Sequence, residues 1–401
     1  MPTQSRDRCE IRKDGGMRVG LIGLGEVGRV HFEAYKSLAN LKVTAVADQD
    51  AQRLEFITDG SITKFTDSSK MLAAAPLDIV CVLTPPATHE AMVLACAASG
   101  RHVLCEKPLA LDVASGGRMI EACEAAGVRL FYGASYRFLP AIQKARELIA
   151  GDVLGDIVLL REHHVGGAGP GSRVALGPHH YPPGGPGGTA MGLVDHGVHL
   201  IDSFGWLMGA RVTSVFGYGN RSGEPLATEH MLMTFDNGAT GSLLYEEGVF
   251  PTDLPTDGQF SQGASWALDG HRPGGQWDPH PGCIHVHGQR GALRIFHYAN
   301  TLYLTDHRGI RQVEVDNRPS PYHFAAQMQA FADDLQTGAP NSTARDGLAA
   351  LQALLAAFES NGTKAVTLPA AVAIDAPSGE AMPIAGALHR PGARRHISED
   401  R

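Results

Sequence analysis

The stretch Met17–Gly28, MRVGLIGLGEVG, decides the fold of this chain. A short apolar run predicts a β-strand, and it leads into a G-x-G-x-x-G turn, Gly23-Leu24-Gly25-Glu26-Val27-Gly28. In a strand–turn–helix the three glycines permit the tight turn, a close backbone approach to a pyrophosphate and close packing of the helix on the strand. The residues after the turn have helical spacing. The stretch therefore predicts a dinucleotide site in which these six residues hold phosphates at the helix N-terminus.

An acidic residue stands where such a site needs one. The apolar run Leu41–Ala47 predicts a buried strand that ends at Asp48, at the expected spacing of about 20 residues after the last motif glycine. A carboxylate here accepts hydrogen bonds from the adenosine ribose and repels a 2′-phosphate. Gln49 supplies no compensating positive charge. We therefore predict NAD as the cofactor, with NADP disfavoured.

Strands and helices alternate through the rest of the first third of the chain. The runs Leu77–Thr84, His102–Cys105 and Val128–Tyr132 predict further buried strands, separated by helices of ten or so residues. This alternation predicts an α/β fold with a doubly wound parallel sheet, the Rossmann arrangement. Ligands bind such sheets at the carboxyl ends of the strands. The segments Thr84–His89 and Glu106–Pro108 follow two of these strands directly, so we expect both at the ligand crevice.

A second pattern begins after the predicted Rossmann sheet. The helix Pro140–Ala150 is followed by strands with period-two alternation, a helix predicted over Gly192–Met208, and two irregular segments, 165–188 and 250–282. We predict four parts, which are a disordered leader (1–16), an NAD-binding Rossmann domain (17–138), a substrate-binding and oligomerisation α/β domain (139–374) and a disordered tail (375–401).

Composition narrows the range of partners. The net charge of -8 and the pI of about 6.2 argue against nucleic acid or a membrane surface. No apolar run reaches transmembrane length, and the polar residues at the start lack the apolar core of a signal peptide. Six scattered cysteines form no C-x-x-C pair. These features predict reduced core thiols in a cytoplasmic protein.

A lysine stands at one predicted strand end. Lys107 follows an apolar strand directly and is fixed by Pro108. A cation at this edge would face the nicotinamide end of a cofactor, where it could stabilise a developing alkoxide. The alternative is a surface lysine at a strand end. The apolar character of VLCEKPLAL argues against that alternative.

A carboxylate and an imidazole are spaced for cooperation. Asp195 and His199 lie four residues apart on the helix predicted over Gly192–Met208, so they share one face. The imidazole suits removal of a hydroxyl proton, and the carboxylate can orient it. Asp202 extends the face, with a structural role as its alternative. We predict Lys107, Asp195 and His199 as the catalytic residues.

The other histidines do not form a metal-site pattern. His163-His164, His179-His180 and His285-x-His287 have no partner set at a metal-ligand spacing. We predict no metal. Contact with substrate by His164 or His180 is the favoured interpretation of these residues.

The motifs together resemble one known family. GLIGLGEVG, Asp48, TPPATH, GRHVLCEKPLAL, YRFLPAI and DHGVHLID resemble the glucose–fructose oxidoreductase, inositol dehydrogenase and rhizopine catabolism (Gfo/Idh/MocA) family over about Met17–Leu368. The resemblance implies a C-terminal α+β domain with a large open, mostly antiparallel sheet, which joins the subunits of a homodimer or homotetramer. It places Lys107, Asp195 and His199 at the family's catalytic positions.

The resemblance also implies further site residues. Those lining the cofactor are Thr84, Pro85, His89, Glu106 and Lys107. Tyr136 and Arg137 would form the floor of the substrate site. The irregular segments 165–188 and 250–282 depart from the family pattern, which leaves the substrate open.

The sequence favours an NAD-dependent sugar dehydrogenase of carbohydrate metabolism. The reaction would transfer a hydride between a secondary alcohol of a sugar, polyol or cyclic diol and the nicotinamide. Three alternatives stay open at this point. They are an NAD-using glycosidase or epimerase with no net redox change, a cis-dihydrodiol dehydrogenase, and a non-catalytic nucleotide sensor.

Overall fold

A computed structural model describes most of the chain. The described residues are 16–165, 193–218, 229–246, 283–297, 299–317, 322–338, 342–360 and 362–370. The insertion 250–282, the tail 375–401, His180 and nearly all of the predicted leader and of the loop 165–188 lie outside them.

The N-terminal part is a parallel sheet with helices on its faces. Its strands are β1 (Met17–Ile22), β2 (Leu41–Ala47), β3 (Thr63–Phe65), β4 (Ile79–Val82), β5 (His102–Cys105) and β6 (Leu130–Tyr132). Its helices are α1 (Glu26–Tyr35), α2 (Ala51–Leu54), α3 (Ser68–Ala74), α4 (His89–Ala98) and α5 (Val113–Ala126). The strand order is β3-β2-β1-β4-β5-β6. The order reverses beside β1, and a doubly wound sheet opens its ligand crevice there.

The remaining strands form a larger mixed sheet. They are β7 (Ile157–Val165), β8 (Val212–Tyr218), β9 (Glu229–Phe235), β10 (Thr240–Glu246), β11 (Cys283–Gly288), β12 (Ala292–Phe296), β13 (Thr301–Asp306), β14 (Gly309–Val313) and β15 (Val366–Thr367). The order is β14-β13-β12-β11-β7-β10-β9-β8-β15. The β7–β10 pair is parallel and the other pairs are antiparallel. The predicted fold class is confirmed.

Four more helices pack beside the two sheets. They are α6 (Pro140–Ala150), α7 (Val198–Met208), α8 (Tyr322–Thr337) and α9 (Ala344–Ser360). Helix α8 packs against α1 and against the 3-10 turn at Ser135–Phe138. The rings of Phe131 and Phe331 lie 4.6 Å apart, so α8 closes the core on the N-terminal side. Among the described helices, none has the length and apolar character needed to cross a bilayer.

One predicted helix begins differently from the expectation. The chain forms a π-helical turn over Leu193–Gly197 before the α-helix Val198–Met208 starts. A π turn inserts an extra residue into the helical repeat, and such turns are frequent at functional sites. The prediction of one continuous α-helix over Gly192–Met208 was therefore wrong at its start. Asp195 belongs to the π turn and His199 to α7.

Candidate functional site

The glycines of the opening turn have separate physical roles. Gly23 has φ +96°, and a Cβ there would lie 2.7 Å from the carbonyl oxygen of Leu83. A Cβ on Gly28 would overlap the Gly23 carbonyl, so Gly28 permits close packing of α1 on β1. The nearest atom to a Cβ on Gly25 is a guanidinium nitrogen 3.7 Å away. Gly25 therefore leaves backbone open to a phosphate, and the turn fits a dinucleotide.

Asp48 is held at the edge of this turn. Its Oδ2 accepts a hydrogen bond from the Leu24 N–H at 2.7 Å, and its Oδ1 accepts one from the Asp50 N–H at 2.9 Å. Arg53 Nη1 lies 3.8 Å from Asp48 Oδ2, on a side chain that is 49% exposed. Arg53 carries no signal in the sequence that would assign it to the site, because its link to Asp48 depends on how α2 folds back. The ribose end of the site therefore contains the fixed carboxylate of Asp48 and the half-exposed guanidinium of Arg53.

A cleft of about 560 Å³ joins these elements. The predicted cofactor residues that line it are Gly23, Gly25, Glu26, Val27, Asp48, Thr84, Pro85, Glu106 and Lys107. Lining residues that the prediction did not assign to the site include Gln49, Arg53, Thr66, Asp67, Ser68 and Met92. Leu24, Gly28 and His89 are buried behind the wall. They shape the cleft without lining it.

His89 connects two loops beneath the cleft. It is fully buried, with Nε2 2.8 Å from the Thr84 carbonyl oxygen and Nδ1 3.0 Å from that of Pro108. Burial lowers the pKa of His89, although the nearby carbonyl groups raise it. The described contacts of His89 support the loops that line the cleft, and its contact with the cofactor stays a prediction.

Glu106 fixes the backbone of Lys107. Its Oε2 accepts a hydrogen bond from the Lys107 N–H at 3.0 Å, and its Oε1 lies 3.0 Å from His31 Nε2. Burial alone would raise the pKa of the Glu106 carboxyl, but His31 and the charge of Lys107 lower it. His31 lies on the buried face of α1, where its sequence position alone does not show that it contacts Glu106. Glu106 thus remains an anion that orients the Lys107 segment.

His199 combines burial with a nearby positive charge. Its ring stacks on that of Tyr136 with centroids 4.0 Å apart and planes 5° from parallel. Its Nδ1 has no hydrogen-bond partner within the part of the chain that the structure describes. Burial, followed by the charge of Lys107, holds the pKa of His199 well below its usual value. His199 is therefore a neutral imidazole, and the positive charge of Lys107 helps to keep it neutral.

The other predicted site residues have different surroundings. The side chains of Asp195 and His164 lie outside the described part, so their roles stay predictions. Arg137 donates from Nε to Asp202 Oδ2 at 2.7 Å and from Nη2 to Asp202 Oδ1 at 2.5 Å. Arg137 Nη1 also lies 3.4 Å from Asp346 Oδ2. These carboxylates give Arg137 and Asp202 a structural role, and contact of Arg137 with substrate stays a prediction.

A buried polar chain lies behind Tyr136. The hydroxyl of Tyr136 is 3.0 Å from His196 Nδ1, and His196 Nε2 is 2.8 Å from Glu162 Oε2. His297 lies beside them, with Nδ1 3.6 Å from Glu162 Oε1. Donor atoms of Glu162, His196 and His297 all lie within 4.8 Å of one another. Hydrogen bonds already join two of the three, and the absence of a metal stays a prediction.

Three buried histidines are expected to make the folded protein less stable in acid. Burial lowers the pKa of His89 and His199 and lowers that of His323 to about 3. Below the ordinary histidine pKa of about 6.5, the unfolded chain binds protons at these histidines that the folded chain does not bind. The free energy of unfolding therefore decreases as the pH is lowered. Urea unfolding at about pH 7.5 and about pH 5.5 should show the lower free energy of unfolding in acid.

Two glutamine variants distinguish the contribution of a buried histidine to acid sensitivity from the loss of any histidine. His323→Gln should reduce the loss of stability in acid, because one proton-binding group is removed from the unfolded state. His307→Gln is the matched control, since His307 is exposed. A wild-type stability that stays constant or rises on acidification would contradict the assignment.

Comparison with known proteins identifies the family. The family model for the oxidoreductase family with an NAD-binding Rossmann fold matches residues 17–134, and the GFO/IDH/MocA C-terminal domain matches residues 142–252. The chain is 31% identical over 235 residues to myo-inositol 2-dehydrogenase from Thermotoga maritima, covering 56% of this chain and 67% of that protein. It is 27% identical over 240 residues to D-glucoside 3-dehydrogenase from Escherichia coli, covering 59% and 66% respectively.

A solved structure supports the same fold. Scyllo-inositol dehydrogenase from Lactobacillus casei, with bound NAD(H) and scyllo-inositol, matches 88% of this chain and 99% of its own. Its TM-score is 0.65 at 21% sequence identity. The parallel sheet of the N-terminal part agrees with the NAD-binding Rossmann fold of the matching family model. The chain is an enzyme of the GFO/IDH/MocA family, an NAD-binding oxidoreductase.

Proposed function

We propose that the protein is an NAD-dependent dehydrogenase for a secondary alcohol of a sugar, polyol or cyclic diol. The observation that carries this proposal is the neutral, buried His199 beside the positive charge of Lys107, and Lys107 lines the dinucleotide cleft. The named activities of its relatives, on myo-inositol and on D-glucosides, favour polyhydroxylated rings.

The proposed mechanism divides the work among three side chains. A bound NAD, held by the Gly23–Gly28 turn and Asp48, would supply the acceptor for a hydride from the carbinol carbon. His199, kept neutral by burial, accepts the hydroxyl proton, and Asp195 orients it. Lys107 stabilises the negative charge that develops on the oxygen. Glu106 keeps Lys107 in place through its backbone N–H.

A substrate panel tests the proposal. Inositols, pyranoses and cis-diols would be assayed with NAD and with NADP by the growth of reduced-cofactor absorbance. We expect turnover of at least one ring polyol, with NAD preferred. Absence of turnover across the panel with both cofactors would count against the proposal.

The cofactor preference follows from Asp48. Its carboxylate, fixed by two backbone N–H groups, favours ribose hydroxyls and repels a 2′-phosphate. The guanidinium of Arg53 lies near the same carboxylate, and the negative charge of Asp48 offsets its positive charge. We infer that Asp48, rather than a lack of cations, sets the preference for NAD.

Asp48→Ser should therefore shift the preference toward NADP. Removal of the anion leaves Arg53 able to pair with a 2′-phosphate, and we expect the NADP to NAD ratio of kcat/KM to rise about 10- to 100-fold. Steady-state kinetics with both cofactors measure it. The double variant Asp48→Ser/Arg53→Gln should lose most of the gain. An unchanged ratio in Asp48→Ser would show that another feature selects the cofactor.

The larger sheet suggests how subunits associate. Tyr218 and Leu232 are 48% and 43% exposed on neighbouring strands β8 and β9, where β-register places them on the same face. Exposed apolar residues on an open sheet favour burial against a second copy. We propose a homodimer or homotetramer through this face, and light scattering coupled to size exclusion tests it.

A further inference from the structure

Helix α1 presents two polar side chains to the protein interior, and one of them contacts the segment that carries Lys107. His31 and Tyr35 lie four residues apart on the buried face of the helix. His31 Nδ1 is 2.7 Å from Tyr35 Oη, and His31 Nε2 is 3.0 Å from Glu106 Oε1. A buried contact therefore joins α1 to the segment that follows β5.

The carboxylate of Glu106 fixes the direction of this contact. Burial raises the pKa of the Glu106 carboxyl, but the hydrogen bond from His31 and the charge of Lys107 leave it below its usual value. A carboxylate only accepts hydrogen bonds, so the proton between the two side chains belongs to His31 Nε2. This holds whether or not the other ring nitrogen is protonated. Within the part of the chain that the structure describes, no other side chain donates to this carboxylate.

The second oxygen of Glu106 holds the segment that carries the predicted catalytic lysine. Glu106 Oε2 accepts the backbone N–H of Lys107 at 3.0 Å, so one carboxylate bridges donors from two elements. A Cβ on Gly133 would lie 2.8 Å from the Glu106 Cα and 3.2 Å from its Oε1. The ring of Phe324 packs 4.6 Å from that of His31. The bridge is therefore confined by close packing as well as by hydrogen bonds.

Helix α1 also forms one wall of the dinucleotide cleft. The helix begins at Glu26, directly after Gly25, and both residues line the cleft together with Lys107. A helix N-terminus binds phosphate through its free N–H groups. The helix that would hold the dinucleotide and the segment that carries Lys107 are thus joined by a hydrogen bond to a charged acceptor, which is stronger than one between neutral groups.

We propose that His31 is a positioning residue for Lys107, which acts through the Glu106 carboxylate to fix the Lys107 segment relative to the helix that holds the dinucleotide. Tyr35 supports this role by contacting the opposite nitrogen of the His31 ring. The role rests on the proposed function, in which Lys107 stabilises the developing oxyanion. It extends the reaction machinery to a fully buried side chain of α1.

Loss of the His31 donor should change the protonation of Glu106. Burial would then dominate, and the carboxyl would bind a proton at a higher pH than in the wild type. The other titratable groups that face Glu106 are Tyr35, Cys81, His89, Cys105, Lys107, Tyr132 and His323. Burial raises the pKa of the thiols and phenols and lowers that of the two imidazoles, so the charged residue among these at neutral pH is Lys107.

Two substitutions at position 31 separate hydrogen bonding from packing. His31→Phe keeps a ring and removes the donor, whereas His31→Gln replaces the Nε2–H with an amide N–H. In His31→Phe the acid limb of the kcat/KM profile should move to higher pH by about one unit. The kcat on the plateau should fall about 10-fold, with the KM for NAD within about threefold of the wild type. His31→Gln should keep the wild-type acid limb.

A packing control and a double variant assign the effect to Glu106. Phe324→Leu alters the contact beside His31 without removing the donor, and it should keep the wild-type acid limb. A glutamine at position 106 cannot titrate, so the shifted limb should be absent from His31→Phe/Glu106→Gln. An unmoved limb in His31→Phe, or a shifted limb that persists in the double variant, would overturn the role of His31. His31→Leu serves the same comparison where the His31→Phe protein does not fold.

A spectroscopic measurement follows Glu106 without any substrate. Carbon-13 NMR of protein labelled at the glutamate carboxyl carbon, with the Glu106 signal assigned by its loss in Glu106→Gln, should show protonation at a higher pH in His31→Phe than in the wild type. The same titration in both proteins would contradict the positioning role even if the dehydrogenase activity is confirmed. Failure of the whole substrate panel would instead reject the proposed function and leave the titration result standing.

Discussion

Lys107→Met is expected to lower kcat by about 100- to 1,000-fold, the usual effect of removing one group that stabilises a developing oxyanion. Lys107 lines the dinucleotide cleft and its charge acts on His199. No other catalytic lysine is predicted in the sequence. Steady-state rates measure the loss, and calorimetric titration with NAD should show affinity within about threefold of the wild type.

The control for this variant removes a lysine elsewhere on the N-terminal part. Lys70→Met deletes the same charge from an exposed position on α3, and it should retain wild-type kcat. A Lys107→Met enzyme with nearly normal kcat would show that another group stabilises the oxygen. Loss of NAD binding in parallel with turnover would place Lys107 in cofactor binding alone.

His199→Asn is expected to lower kcat by about 100- to 10,000-fold, the range typical of a general base. The low pKa of His199 keeps its ring neutral, so it is ready to accept a proton across the neutral pH range. The substitution also removes stacking on Tyr136, so thermal unfolding must be measured beside the kinetics.

A histidine on the larger sheet provides the comparison. His287→Asn changes a half-buried histidine of β11 whose ring stacks on that of His285, and it should leave kcat unchanged. If His199→Asn folds normally and keeps most of its turnover, the hydroxyl proton leaves by a different route.

The N-terminal architecture could be predicted because its signals are local. The strands Leu41–Ala47 and His102–Cys105 were predicted with their observed ends, since each is an apolar run bounded by polar residues. The glycine turn and Asp48 also follow from short-range spacing. The family is confirmed by the matching family models.

The buried contacts of the site could not be predicted in the same way. Glu162, His196 and His297 are far apart in sequence and meet only through the register of the larger sheet and the π turn. Arg53 reaches Asp48 because α2 folds back after β2. The family resemblance implied a cofactor contact for His89, whose ring lies beneath the loops that line the cleft.

The proposed reaction is a net hydride transfer from a substrate carbinol carbon. The most direct measurement uses the best panel substrate deuterated at that carbon, with NAD in excess, followed by mass spectrometry of both products. We predict one deuterated reduced cofactor for each ketone formed. Product formation with the cofactor pool still oxidised, as in a glycosidase or an epimerase, would contradict it.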